Sequence, residues 1–201
     1  MIASSSLSSG ASSLLPPSPG FPWPLAPVDT AALARYLDRC VSRGIGYGLG
    51  SKARDLLAYP PDYRQIDCSG WVRAAVAFAT AGRTVLPDGS VNQHDWCDRS
   101  GLKVSSRAAL LLPDGLLRIC FIAPSLEHES EAGRRKIGHV FLCRNLRTLE
   151  SWGGHGPGSR SVLAHISLGV LQQSASAVYV LASAKPDLDT SAKPDLDRGK
   201  E

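Results

Sequence analysis

The hydrophobic period of the chain changes once, near residue 116, and this change constrains the fold more than any other feature. Before it, apolar residues recur at helical spacing. In DTAALARYLDRCVSRG (29–44), Ala32, Leu33, Tyr36, Leu37, Cys40 and Val41 share one helix face. Asp29 or Thr30 is placed to cap this helix, and Gly44 to end it in the left-handed conformation. RQIDCSGWVRAAVAFATAG (64–82) repeats the spacing with Trp71, Val72, Ala75, Val76 and Ala79, and Gly82 supplies a stop. A third helix is expected at SVNQHDWC, where Ser90 and Gln93 stand at capping-box spacing. After residue 116 the pattern is extended. LLRICFIA (116–123), GHVFLCR (138–144), RTLESW (147–152) and SAVYVLA (176–182) read as strands, with the polar PSLEHESEAGRRK (124–136) as a surface loop. The second and third strands are joined near Asn145 and should form an antiparallel hairpin. Helices first and an antiparallel sheet second describe an α+β domain.

With 201 residues, 43% of them apolar, the chain can build one ordinary core but not two large ones. The core is expected within 29–182. Residues 1–28 are Ser- and Pro-rich and uncharged, and read as a disordered arm with FPWPLAP docked on the surface. Residues 183–201 carry SAKPDLD twice, too little for a solenoid, and read as a disordered tail. The start lacks the basic region and apolar run of a Sec signal, and no window approaches a membrane span. A protein made in the cytoplasm is therefore expected. The formal charge of +4 is scattered, with GRRK (133–136) its densest cluster, so a nucleic-acid partner is not expected. GIGYGLGSK (44–52) fits neither a phosphate-binding loop nor a dinucleotide fingerprint, and it follows a helix rather than a strand. Its alternate glycines let the backbone approach something closely, leaving Tyr47 as the one large side chain.

The five cysteines have no metal-ribbon or redox spacing, and their odd number argues against a disulfide framework. Cys40, Cys120 and Cys143 lie in apolar-periodic segments and read as core; Cys97 reads as structural. Cys68 differs. Asp67 can cap the second helix, which places Cys68 in the first turn, where unpaired N–H groups and the helix dipole favour a thiolate. Ser69 and Gly70 are small enough to leave the sulfur open, and the amides there could form an oxyanion hole. Among the histidines, His94 and His128 lie in polar segments and read as solvated, and His165 as packed. His139 opens a strand and is the best base for Cys68. A third polar group should orient His139. Glu150 lands opposite it or one pair away across the hairpin, whereas His155 sits in the Gly-rich GGHGPG. Glu150 is favoured because strand residues hold geometry better than loop residues, and His155 stays as the alternative.

These residues resemble the NlpC family of cell-wall cysteine peptidases. DCSGWV (67–72) is similar to that family's nucleophile motif, GHVFLC (138–143) to its histidine strand, and RTLESWGGHG to the strand and loop that follow. GIGYGLG places Tyr47 where the family carries a tyrosine beside the nucleophile, and LPDGSVNQ is similar to the segment after the nucleophile helix. The resemblance runs through residues 30–182 in order. It departs at LLPDGLLRI, where Asp114 and Gly115 stand in exchanged order, at Val140-Phe141 after the histidine, and at Glu150, where the family has His, Asn or Gln.

The resemblance implies a papain-like NlpC-type fold, with N-terminal helices on a central antiparallel sheet and the nucleophile at a helix N-terminus. It implies a peptidoglycan hydrolase, cleaving stem-peptide amides between γ-D-glutamate and the diamino acid. Cys68 would be the nucleophile, His139 the base, and Glu150 or His155 the orienting group. Tyr47 would help hold the oxyanion with Ser69, Gly70 and the Cys68 amide. No metal or organic cofactor is implied. The protein would act as a monomer on the cell wall after lysis, secretion or phage delivery, with an inhibitor or immunity protein as a further partner. Two other readings share these residues: a muramoyl-alanine amidase or other thiol hydrolase, and a non-catalytic module that binds peptidoglycan or protein.

Overall fold

The structure, a computed structural model, describes residues 26–122, 138–167 and 176–182. The expected surface loop 124–136, nearly all of the N-terminal arm and the repeat tail lie outside these residues, as does His128. At the end of the arm, Ala26 of FPWPLAP touches the domain as expected, and Val28 belongs to the packed domain itself. The Ala26 amide donates to Thr84 Oγ1 at 3.0 Å, Val28 is fully buried, and its amide donates to the Ala182 carbonyl at 2.8 Å.

Helix α1 (Thr30–Ser42) starts where Asp29 Oδ1 accepts from the amides of Ala31 and Ala32, both at 2.9 Å. It buries Ala32, Leu33, Tyr36, Leu37 and Cys40, but Val41 is exposed. Eight residues on from Leu33, a 3.6-residue helix has turned about 80° away from the buried stripe. Two short strands, β1 (Gly46–Tyr47) and β2 (Gln65–Ile66), pair in parallel just before helix α2 (Cys68–Ala79). Apart from Arg73 and Phe78 every residue of α2 is buried, as its nearly continuous Ala/Val face requires. Helix α3 (Ser90–Arg99) corrects the capping-box expectation. Gly89 is its N-cap, with no side-chain cap bond, and Gln93 instead donates to the carbonyls of Ser69 and Pro87 at 2.9 and 3.1 Å. A buried carbonyl on α2 competes more strongly for that amide than an exposed helix end does.

After a 3₁₀ turn (Arg107–Leu111), the extended half forms β3 (Leu117–Ile122), β4 (His139–Arg144), β5 (Arg147–Trp152), β6 (Gly156–Gly158), helix α4 (Val162–Ser167) and β7 (Ser176–Leu181). The molecule is thus mixed α+β, with a five-stranded antiparallel sheet in the order β6-β5-β4-β3-β7. Asn145 and Leu146 form the β4–β5 turn, both at positive φ (48° and 65°), as a two-residue hairpin of matching twist needs. Strand β6 was not expected, because Gly-Pro-Gly carries no alternating pattern.

Alternation along the strands divides the core. Leu117, Ile119, Phe121, Val140 and Leu142 face α1 and α2, while Cys120, Ile122, Phe141 and Cys143 form a second cluster with Leu110, Val162 and Val178. Each fully buried Leu, Ile or Phe here contributes about 1.5–3 kcal/mol. Among the described residues no helix is long and apolar enough to cross a membrane.

Gly156 sets how closely β6 approaches β1. Its φ is +90°, and a Cβ there would lie 2.2 Å from the Ile45 carbonyl oxygen. Gly156→Ala should cost about 2–4 kcal/mol, from backbone strain plus overpacking. Urea denaturation checks this, and an unchanged midpoint would contradict the packing.

Candidate active site

Asp67 builds the start of α2. Its Oδ1 accepts from the Gly70 amide at 2.7 Å, and its Oδ2 from the Gly50 amide at 3.1 Å and from Lys52 Nζ. The backbone of the preceding loop is held to the same point, since the Asp67 amide donates to the Ser51 carbonyl at 3.0 Å. The glycines permit this. A Cβ on Gly70 would lie 2.9 Å from that carbonyl oxygen, and one on Gly48 would lie 2.6 Å from Ser51 Oγ. The expectation that Ser69 and Gly70 line an open approach is corrected. Both are buried; Ser69 Oγ accepts from Lys52 at 2.7 Å and donates to Asp67 at 3.1 Å, and the Gly70 amide is spent on the cap. The Ser69 hydroxyl and the Gly70 amide are therefore engaged in building the helix start.

Cys68 is the first residue of α2. It retains 8% exposure, whereas Cys40, Cys97, Cys120 and Cys143 retain at most 1%; all five thiols are free. Its sulfur lies close enough to His139 and to the Val140 amide for both to act on the thiol. Burial pushes the thiol pKa up, but the bond and charge of His139 and the Val140 amide outweigh it and hold the thiol below its ordinary value. His139 shows the reciprocal effect. Burial lowers its pKa, while the bonds to Cys68 and Glu150 raise it further, to about 9. Both shifts act in the direction that favours a thiolate–imidazolium pair.

His139 Nε2 lies 2.7 Å from Glu150 Oε2, which leaves Nδ1 as the ring nitrogen for Cys68. The hairpin register accounts for this contact. Leu142 pairs with Leu149, so one step along Glu150 falls opposite Phe141, two residues from His139 and on the same face. Glu150 has no exposed surface. Its Oε1 accepts from Thr148 Oγ1 at 2.6 Å and Arg160 Nε at 2.8 Å, and lies 3.1 Å from His165 Nε2. Burial would raise the carboxyl pKa, but the bonds to His139 and His165, the His139 charge and Arg160 hold it far below the usual carboxylate range. Thr148, Arg160 and His165 were not singled out for this role from sequence. His165 also stacks on Phe141, with centroids 4.8 Å apart and planes at 4°.

The other expected site residues fall as follows. Tyr47 is half-buried and close enough to Cys68 and Asp67 to feel their charge; burial first, then those two, push its phenol up to about 12. His155 is exposed and packs on Trp152 at 5.2 Å, and the structure gives it no bond to His139. His94, expected to be solvated, is half-buried, its ring edge-on to Phe121 at 5.2 Å. A cavity of about 800 Å3 between Gly44 and Gln65, with Lys52, Arg54 and Arg64 on its walls, includes none of Cys68, His139 and Glu150.

No family model and no curated protein matches the chain. Among solved structures it is similar to the peptidoglycan hydrolase RipB from Mycobacterium tuberculosis, at 22% identity and a TM-score of 0.36. The likeness covers 67% of this chain and 62% of that one, so the chain spans less than two thirds of that structure.

Iodoacetamide should alkylate Cys68 alone in the native protein, and should still do so at pH 6–7. The thiols of Cys40, Cys97, Cys120 and Cys143 are all pushed up by burial, Cys97 and Cys143 to about 12. Peptide mapping after timed labelling reads the result, and simultaneous labelling of all five would contradict it.

Proposed function

We propose that this protein is a cysteine peptidase of the NlpC type, with a papain-like arrangement in one domain at 29–182, that hydrolyses amide bonds in peptidoglycan stem peptides. The observation that carries this reading is the chain of contacts from a helix-start thiol, Cys68, through His139 to a buried carboxylate, Glu150, 2.7 Å from the imidazole. The substrate class rests on the likeness of DCSGWV and GHVFLC to the family's motifs.

In this reading the Cys68 thiolate attacks the scissile carbonyl carbon. The resulting oxyanion is received by the Cys68 backbone N–H and the Tyr47 hydroxyl, whose raised pKa keeps its proton available at neutral pH. His139, already an imidazolium, gives its proton to the leaving amine as the C–N bond breaks, leaving a thioester on Cys68. Neutral His139 then takes a proton from water as the water attacks the thioester, and collapse of the tetrahedral intermediate expels the Cys68 thiolate beside the regenerated imidazolium as the acid product leaves. Glu150 stays ionised throughout and holds Nε2–H of His139. The bond cut is that between γ-D-glutamate and the diamino acid, and the protein acts as a monomer on the wall after lysis, secretion or phage delivery.

Purified muropeptides incubated with the protein should yield products whose masses identify that bond, and Cys68→Ala should lose cleavage by at least about a thousandfold. No cleavage by the native protein, or equal cleavage by the variant, would defeat the proposal. Cleavage at the muramoyl-alanine bond would instead identify an amidase. Glu150→Gln should lower kcat by up to about 10⁴-fold while His155→Ala leaves it unchanged; the reverse pattern would give the orienting role to His155.

The rate should also follow a bell against pH. As pH rises through about 9, His139 loses the proton the leaving amine needs, so the rate falls. On the acid side it falls as the thiolate is protonated, below the ordinary thiol value. Both limbs belong to the coupled pair rather than to either residue alone. A pH profile of kcat/KM checks the two limbs.

A further inference from the structure

We infer that Arg160 and His165 are positioning residues of the active pair: they clamp the Glu150 carboxylate so that Oε2 faces His139, and through it they keep Cys68 a thiolate. This deepens the proposed function and rests on it for the role of Cys68, though not for the substrate.

The observations converge on one carboxylate. Arg160 reaches Glu150 from the segment after β6, with Nε 2.8 Å from Oε1 and Nη2 3.4 Å from Oε2. Its guanidinium also lies over the Trp152 ring at 4.7 Å, and Nη2 is 3.1 Å from His165 Nε2. The planar fork is thus fixed on three sides by a carboxylate, an indole and an imidazole. A bound Arg of this kind differs from a solvated one because its orientation, and not merely its charge, is set.

His165 closes the ring from α4. Its Nε2 is 3.1 Å from both Glu150 Oε1 and Arg160 Nη2. An arginine only donates and a carboxylate only accepts, so Nε2 serves one of them at a time. With a hydrogen on Nε2 it bonds Glu150; with a lone pair there it accepts from Arg160 and holds the fork in place. Either tautomer fixes the carboxylate. Stacking on Phe141, which follows His139 by two residues on β4, holds the His165 ring against rotation.

The charge balance explains why the clamp matters. Glu150 has no exposed surface, so without a permanent cation beside it the carboxylate would be costly to ionise. A neutral carboxyl would no longer stabilise the His139 cation, and the thiolate would lose its counter-ion. Thr148 adds a bond to Oε1 but no charge. The ionisable groups facing this network are few. Glu150 meets His139, Arg160 and His165, with the Cys120 and Cys143 thiols nearby; Cys68 meets His139, Tyr47 and Asp67.

Alkylation of Cys68 by iodoacetamide as a function of pH tests this without any wall substrate. Arg160→Gln should move the midpoint upward by about one pH unit, and His165→Gln by less. Arg160→Lys should fall between Arg160→Gln and the native protein, because it restores the charge but not the fork. Labelling of Cys68 alone, with Cys40, Cys97, Cys120 and Cys143 silent, shows that a variant is folded. Should Arg160→Gln label all five thiols, Arg160→Lys and His165→Gln decide the matter. Unchanged midpoints in the folded variants would overturn the inference, since a purely structural role leaves the profile where it is. A shifted midpoint in a protein that cleaves no muropeptide would uphold the clamp and remove the peptidoglycan reading. Muropeptide cleavage with unshifted midpoints would do the opposite.

Discussion

Glu150 is a carboxylate with none of its surface in water, and much of the molecule around the site is organised to keep it charged. Burying an unpaired ion costs several kcal/mol, so the fold must bring partners to it from elsewhere in the sheet. The β4–β5 hairpin brings His139, β5 itself brings Thr148, the segment after β6 brings Arg160, and α4 brings His165. Around this point the second face of the sheet is polar, although beside it Phe141, Cys143 and Val162 pack as an ordinary apolar layer. Strand β6 has a similar task. Its residue Gly158 pairs with Glu150 in register, and it leads the chain directly to Arg160.

Cys68 sits at a second compromise. Asp67 is needed to cap α2, and its charge works against the Cys68 thiolate, raising the thiol pKa. Lys52 answers this by pairing with Asp67 and bonding Ser69. The Gly-rich loop before it exists in this form because Lys52 and the Ser51 carbonyl must come against the helix start, where side chains at positions 48 and 70 would collide. Ser151 Oγ completes the junction by donating to the Ile66 carbonyl at 2.8 Å, tying β5 to the strand that leads into α2. Cys68 and His139 therefore meet at a seam between the helical half and the sheet.

Much of this was readable from local pattern. The α1 face, the Asp67 cap, the four long strands and the turn at Asn145 follow from periodicity and from turn and cap chemistry, which act over a few residues. The position of Glu150 near His139 followed from hairpin register alone. Other readings were overridden by distant partners. Gln93 left its own helix end for the Ser69 carbonyl, 24 residues away. His94 has polar neighbours in sequence, but its ring packs on Phe121 and Tyr179 of the sheet. Ser69 and Gly70 looked open because they are small, yet small residues are what a close approach by Ser51 and Lys52 demands.

By itself, then, the sequence determined the two periods, the helix start that exposes Cys68 to its own dipole, and the face on which His139 and Glu150 lie, because each depends on neighbours along one element or one turn. Tertiary structure alone decided that the thiol meets the imidazole, that Arg160 and His165 join Glu150, and that His155 stays outside on Trp152. Those contacts join residues from separate elements. They are selected by the cost of leaving a buried charge unpaired, which no local pattern records.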